Sequence, residues 1–210
     1  MVTVLVIGAS KGIGLETVKA GLAAGFNVRA LARSAGSIGV ENARLTKISA
    51  SAMDGDAMAK AVVGADAVVM SLGVARLFEK VTLFSGATRV VIDAMRKASV
   101  RRLIVVTGIG AGDSRGHGGF VYDKIIFPIL LKRAYDDKDV QEMMVRQSGL
   151  DWTIARPGML TNGPAKGQYR ALLDSKDWGA GSISRADVAA YLISEIATPR
   201  HVGKTPELIN

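Results

Sequence analysis

Cysteine is absent from this chain, and histidine occurs only as His117 and His201. The first absence excludes a disulfide framework and any thiolate metal centre. The second leaves too few imidazoles for a dedicated zinc site, and no residue is assigned to a metal. Aromatic residues make up 5% of the chain and do not interleave with basic ones. The basic pairs Arg101-Arg102 and Lys132-Arg133 stand apart, so the net charge of +8 is scattered rather than gathered into a nucleic-acid stripe. That excess suits an anionic cofactor or substrate instead. No apolar run is long enough to span a membrane, and the longest, Ile125 to Leu131, contains Pro128. The first apolar run has no basic leader, so no signal peptide is expected. The expected setting is a reducing cytoplasm. The expected partners are a small-molecule substrate, no nucleic acid and no membrane, in a monomer or homodimer.

What is present is an apolar, alternating chain. Apolar residues reach 49% over 210 residues, enough for one domain with a sizeable core. Val4-Leu5-Val6-Ile7 reads as a strand buried on both faces, as in a parallel sheet. Gly8, Gly12 and Gly14 follow within seven residues, and a helical pattern starts at once. Glycines at a strand-to-helix turn let the backbone approach a pyrophosphate, which the first helical N–H groups then face.

Further strands are expected at Asn27–Leu31, Leu45–Ala50, Ala67–Gly73, Arg102–Thr107, Asp151–Ala155 and Thr205–Asn210. Helices are expected at Gly14–Ala24, Asp54–Val63 (N-cap Asp54), Thr82–Ala98 and Ser184–Ala197 (N-cap Ser184). Val121 to Ser148 is helical with a break at Pro128 or near Tyr135. The pattern predicts an α/β fold, a Rossmann-type doubly wound parallel sheet in a single domain, residues 1–210, with a small substrate-covering C-terminal region. Substrate-side loops are expected at 108–120 and 157–181. The glycine-rich stretch Gly108 to Gly119 reads as a flexible lid.

Strand ends on one edge of such a sheet line the ligand crevice. The second strand ends at Arg33 and Ser34, with no acid for a ribose hydroxyl, which points to the 2′-phosphate of NADP(H) in preference to NAD(H). Ser51 and Ala52 fall near the adenine, and Ser71 and Gly73 on the cofactor side.

These motifs resemble the atypical short-chain dehydrogenase/reductase group, and within it the NAD(P)H-binding, NmrA-like and biliverdin reductase B (flavin reductase)-like proteins. The residues that carry the likeness are Val6 to Gly14, Arg29 to Ser34, Gly64 to Val68, Arg102 to Gly108 and Ser148 to Gly158. The resemblance implies that Gly8, Ser10, Lys11, Gly12, Ile13 and Gly14 form the pyrophosphate turn, with Arg33 and Ser34 at the 2′-phosphate. It implies that Ser71, Leu72, Gly73, Thr107, Gly108, Pro157 and Gly158 flank the nicotinamide and its ribose.

Classical and extended relatives of that group use Ser, Tyr and Lys, with the Tyr four residues before the Lys. Here Lys138 takes the lysine register, Ala134 stands where the tyrosine should be, and Tyr135 is one residue off, a rotation of about 100° on a helix. Thr107-Gly108 replaces the serine. The expectation is that Lys138 keeps a cofactor-ribose role and no strong protein acid is needed. The alternative is that Tyr135 reaches the site through a helix distortion. The plain alternative for Lys138 is an exposed lysine beside Asp136, Asp137 and Asp139. His117 is a further acid candidate, and Phe120, Tyr122 and Met159 are candidates for an apolar acceptor pocket. The function expected is an NADPH-dependent oxidoreductase of a small conjugated or carbonyl acceptor such as a quinone or flavin. The alternatives are a non-catalytic NADP(H) sensor of the NmrA-like type and, third, an epimerase, dehydratase or oxygenase.

Overall fold

The computed structural model describes residues 1–74, 81–117, 119–120 and 122–210, without the side chains of residues 122, 123, 126, 129 and 130. Strands β1 (Thr3–Ile7), β2 (Asn27–Ala32), β3 (Leu45–Ser49), β4 (Ala67–Met70), β5 (Arg102–Val106) and β6 (Asp151–Pro157) pair in parallel in the order 3-2-1-4-5-6. Helices α1 (Gly12–Ala23), α2 (Gly55–Val62), α3 (Leu83–Lys97), α4 (Lys132–Arg146) and α5 (Arg185–Ala197) cover the two faces. This is the Rossmann-type arrangement that the alternation of strands and helices implied.

Period-two alternation assigns the faces. Val4 and Val6 pack with Val18, Leu22, Val188 and Leu192 of α1 and α5. Leu5 and Ile7 pack on the other side with Met58, Val91 and Met95 of α2 and α3. Each such aliphatic side chain removed from water contributes about 1.5–3 kcal/mol. Both expected caps form. Asp54 accepts from the backbone N–H groups of Asp56 and Ala57. Ser184 accepts from the Asp187 N–H at 2.9 Å, and its hydroxyl donates back to the Asp187 carboxylate at 2.8 Å.

The strand expected at Thr205–Asn210 forms. The last strand, β10 (Glu207–Ile209), is fully within the main sheet, parallel to β6, and β8 (Arg170–Leu172) closes that edge antiparallel. Only β7 (Met159–Thr161) and β9 (Ser182–Ser184) form a separate pair. Leu208 and Ile209 are buried, so the sheet gains by extending where a free flap would leave them in water. The helical break falls between the two candidate positions. Tyr122–Leu131 takes wide i→i+5 turns around Pro128, and regular α-helix begins at Lys132. Pro128 has no N–H to give the ordinary ladder. No helix among the described residues is long and apolar enough to cross a membrane.

Candidate active site

The glycine turn is set by close backbone approach. A side-chain carbon on Gly8 would overlap the Ser71 carbonyl oxygen, so glycine is required for the β1 and β4 ends to meet. One on Gly14 would overlap the Gly8 carbonyl oxygen, so α1 sits directly against β1. Gly12 has φ +61°. The N-cap residue Lys11 is extended and gives no side-chain cap, and the first turn holds no acid. Among the described residues no side chain caps the leading N–H groups of α1, and Lys11 and Gly12 beside them are exposed. Ser10 is half-buried and Ile13 buried beneath them. This cradle fits a dinucleotide diphosphate: it offers backbone donors and the positive end of the helix dipole.

Arg33 and Ser34 lie exposed just past β2, without a carboxylate partner among the described residues. The other cofactor-side expectations divide. Ser71 stays half-buried, its N–H bonded to the Ile7 carbonyl at 2.9 Å, and Gly73 is exposed. Leu72 packs partly against the α2–α3 core. Ser51 turns its hydroxyl to the Met53 N–H at 3.2 Å, and Ala52 is buried in the same core, so both are occupied in building the β3–α2 turn. Thr107 also differs from expectation: its hydroxyl is buried and donates to Glu142 at 2.8 Å. Only its carbonyl faces Lys138. Pro157 and Gly158 are buried, with the Pro157 carbonyl taken by the Ile109 N–H and the Gly158 N–H given to Leu208.

The Gly108–Gly119 stretch is not an open lid over its described first half. Residues 107–111 are buried. Gly108, Gly110 and Gly112 all have positive φ, and each leaves room for one side chain. A Cβ on Gly108 would lie 2.6 Å from the Tyr135 hydroxyl, on Gly110 2.9 Å from the Phe127 ring, and on Gly112 2.7 Å from Arg156 Nη2. The loop is wound around these three side chains. Asp139 accepts from the Gly112 N–H, Arg115 pairs with Asp136 and Asp139, and Asp113 pairs with Arg156 at 2.5 Å.

Tyr135 therefore stands at the end of β5, and Lys138 stands beside it. Lys138 Nζ donates to the Thr107 carbonyl and lies 4.8 Å from the Tyr135 ring centre and 5.2 Å from that of Phe84. The one-residue offset does not separate the pair, because residues three apart share a helix face as those four apart do. Burial pulls the Lys138 pKa down from the ordinary lysine range to about 8, with the Glu142 carboxylate opposing. The neighbouring acids face elsewhere. Asp137 accepts from the Phe84 and Ser85 N–H groups and from the Ser85 hydroxyl, capping α3. The exposed-lysine alternative is thereby corrected.

Three substrate-side expectations do not assemble. Phe120 is 77% and Met159 72% exposed, so neither lines an enclosed apolar wall. The Tyr122 side chain lies outside the described residues. His117 packs edge-on to Trp178, ring centres 5.5 Å apart, and makes none of the contacts of the Tyr135–Lys138 pair. A groove of about 670 Å³ runs between the start of α3 and α4, with Ser85 and Asp137 on its wall. None of the expected cofactor residues lines it.

One feature escaped the sequence reading. Arg156, fully buried on β6, makes a two-bond pair with Glu142 at 3.0 and 2.5 Å. Burial lowers the Arg156 pKa, and the bonds and charges of Glu142 and Asp113 more than restore it. The available signal was an arginine following the apolar pair Ile154-Ala155 within a strand, which requires a buried acid somewhere.

A glycine cradle at the switch from β1 to α1, on the edge of a doubly wound sheet, defines a Rossmann-type dinucleotide-binding protein. The chain belongs to the NAD(P)H-binding family, whose model matches residues 8–199. It is 32% identical over 143 residues to the "uncharacterized sugar epimerase YhfK" of Bacillus subtilis, a stretch covering 66% of this chain and 60% of YhfK. It is 31% identical over 179 residues to the Saccharomyces cerevisiae protein YMR090W, covering 81% of this chain and 70% of that protein. Among solved structures, ChuY of Escherichia coli O157:H7, described as an anaerobillin reductase, superposes with a TM-score of 0.81 at 28% identity. That match covers 99% of this chain and 96% of ChuY.

Proposed function

We propose that this protein is an NADPH-dependent reductase that delivers hydride to a small conjugated or carbonyl acceptor. The observation that carries this reading is the Tyr135 hydroxyl beside Gly108, paired with Lys138, at the same sheet edge as the glycine cradle. The diphosphate would lie on the first turn of α1, and Arg33 with Ser34 would take the 2′-phosphate. Bound NADPH supplies hydride. The chain's own part is to position the acceptor and give it a proton. Tyr135 holds the candidate proton. Lys138, ammonium below its pKa of about 8, favours the phenolate left behind. The likeness to ChuY, described as an anaerobillin reductase, supports a reductase, and biliverdin joins quinones, flavins and aldehydes as acceptors to be tried.

The test is NADPH oxidation with that panel. Turnover with at least one acceptor, reduced about 10²–10⁴-fold in Tyr135→Phe with NADPH affinity unchanged, is expected. Tight NADPH binding with no turnover on any acceptor would favour the second reading, an NADP(H) sensor. The exposure of Phe120 and Met159, which leaves no closed apolar wall at those residues, favours that reading. Arg33→Ala should weaken NADPH about 10–100-fold and leave NADH unchanged; equal losses would remove the 2′-phosphate assignment.

A further inference from the structure

Arg185 is the first residue of α5, far in sequence from the glycine turn. Its Nε lies 3.8 Å from where a side-chain carbon on Gly12 would stand, so the guanidinium reaches across to the first residue of α1. Three devices hold it there. β9 ends one residue before it and pairs with β7, Thr161 opposite Ser184. Asn162 Oδ1, one residue past β7, accepts from Arg185 Nη1 at 2.7 Å. Asp187 accepts from the backbone N–H groups of Lys166 and Gly167 at 2.8 and 2.9 Å, which ties the chain beyond β7 to the start of α5.

The holding partner is neutral. Arg185 has no carboxylate partner among the described residues, in contrast to Arg115 and Arg156, which pair with acids. An amide that orients a guanidinium without cancelling its charge leaves a directed cation facing the open end of α1. Across from it are the leading α1 N–H groups, which lack a side-chain cap, and exposed Lys11; the first turn of α1 has no acid.

We propose that Arg185, oriented by Asn162, is the second jaw of the diphosphate site, gripping the dinucleotide's diphosphate bridge from the side opposite the glycine turn. The inference rests on the dinucleotide reading above and adds a residue from the C-terminal third to a site otherwise built by the first helix. Because Asn162 follows β7 directly, the same grip ties the 159–167 segment to the cofactor.

Binding of three probes separates this role from structural damage. NADP⁺ and NAD⁺ share the diphosphate bridge, whereas adenosine 2′-monophosphate lacks it. Calorimetric titration of Arg185→Gln should show NADP⁺ and NAD⁺ weakened by the same factor, about 10–100-fold, with adenosine 2′-monophosphate unchanged. Arg185→Lys should recover part of the loss, and Asn162→Ala should give a smaller loss of the same pattern. Dinucleotide affinities in Arg185→Gln equal to wild type would overturn the Arg185 assignment alone. So would an equal loss of all three probes, which reports general damage. Wild-type protein that binds neither dinucleotide would overturn the cofactor reading beneath it as well.

Discussion

At the α1 end of the crevice the decisive contacts are between backbones, whereas at the α4 end they are between charged and aromatic side chains. Gly8 and Gly14 are needed because carbonyl oxygens of Ser71 and Gly8 occupy the space a Cβ would take. Gly108, Gly110 and Gly112 are needed because Tyr135, Phe127 and Arg156 occupy theirs. Both ends are glycine-rich in sequence, yet one is an exposed, uncapped helix start and the other a loop closed around a buried ion pair. A run of glycines thus reports close approach, and only the approaching group decides whether the result binds a ligand or locks a loop.

Substitutions on either side test that difference. Gly14→Ala should strike both stability and binding, because the Gly8 carbonyl that it meets is backbone and cannot rotate away. A loss of about 2–5 kcal/mol in thermal or urea unfolding is expected, together with loss of dinucleotide binding. A near-wild-type Tm would contradict the tight β1–α1 contact. At the α4 end, Glu142→Gln strands the buried Arg156 with Asp113 as its remaining carboxylate partner within 2.5 Å. Urea titration should show about 3–5 kcal/mol lost. An unchanged midpoint would mean that the pair carries no weight.

Gly110→Ala is a milder probe of the same loop. The obstructing Phe127 ring is a side chain that can shift, so about 1–3 kcal/mol is expected, with faster proteolysis within residues 108–117. If that segment were an open lid, the substitution would leave both unchanged.

Lys138→Met should have the smallest effect on stability, and its signature is pH. The native pKa of about 8 lies below the ordinary lysine value, so between these values the unfolded chain binds more protons than the native one. Wild-type stability attributable to this group should therefore rise as pH increases from about 8 to 10.5 and be flat below. The methionine variant should lack that rise and be relatively more stable near pH 7. Parallel pH curves for the two proteins would show that Lys138 is not desolvated.

The α1 end was largely legible in the sequence because its determinants are local. The apolar strand, the glycine spacing, the basic residue after β2 and the caps at Asp54 and Ser184 are each read within a few positions. The α4 end was not, because its determinants join distant segments. Whether Tyr135 faces Gly108 depends on how the 108–112 turn winds, and no helical register contains that information. Arg156 announced only that an acid was required, without naming Glu142. Arg185 gave no sign of the cradle, since its partner Gly12 is in another element at the opposite end of the chain. Strand order put Ser51 and Thr107 at the strand ends, but it could not show that their hydroxyls bond to the Met53 N–H and to Glu142.

The most direct measurement is single-turnover mixing of NADPH-loaded protein with an acceptor from the panel, comparing wild type with Tyr135→Phe and Lys138→Met after the NADPH affinity of each has been determined. The account predicts rapid NADPH oxidation in the wild type. It predicts a large fall in rate for Tyr135→Phe at unchanged affinity, and a smaller fall for Lys138→Met whose size changes across pH 8. Oxidation at the wild-type rate in Tyr135→Phe would contradict the assignment of the proton to the β5 end of the crevice. Tight binding with no oxidation in the wild type would contradict the reductase itself.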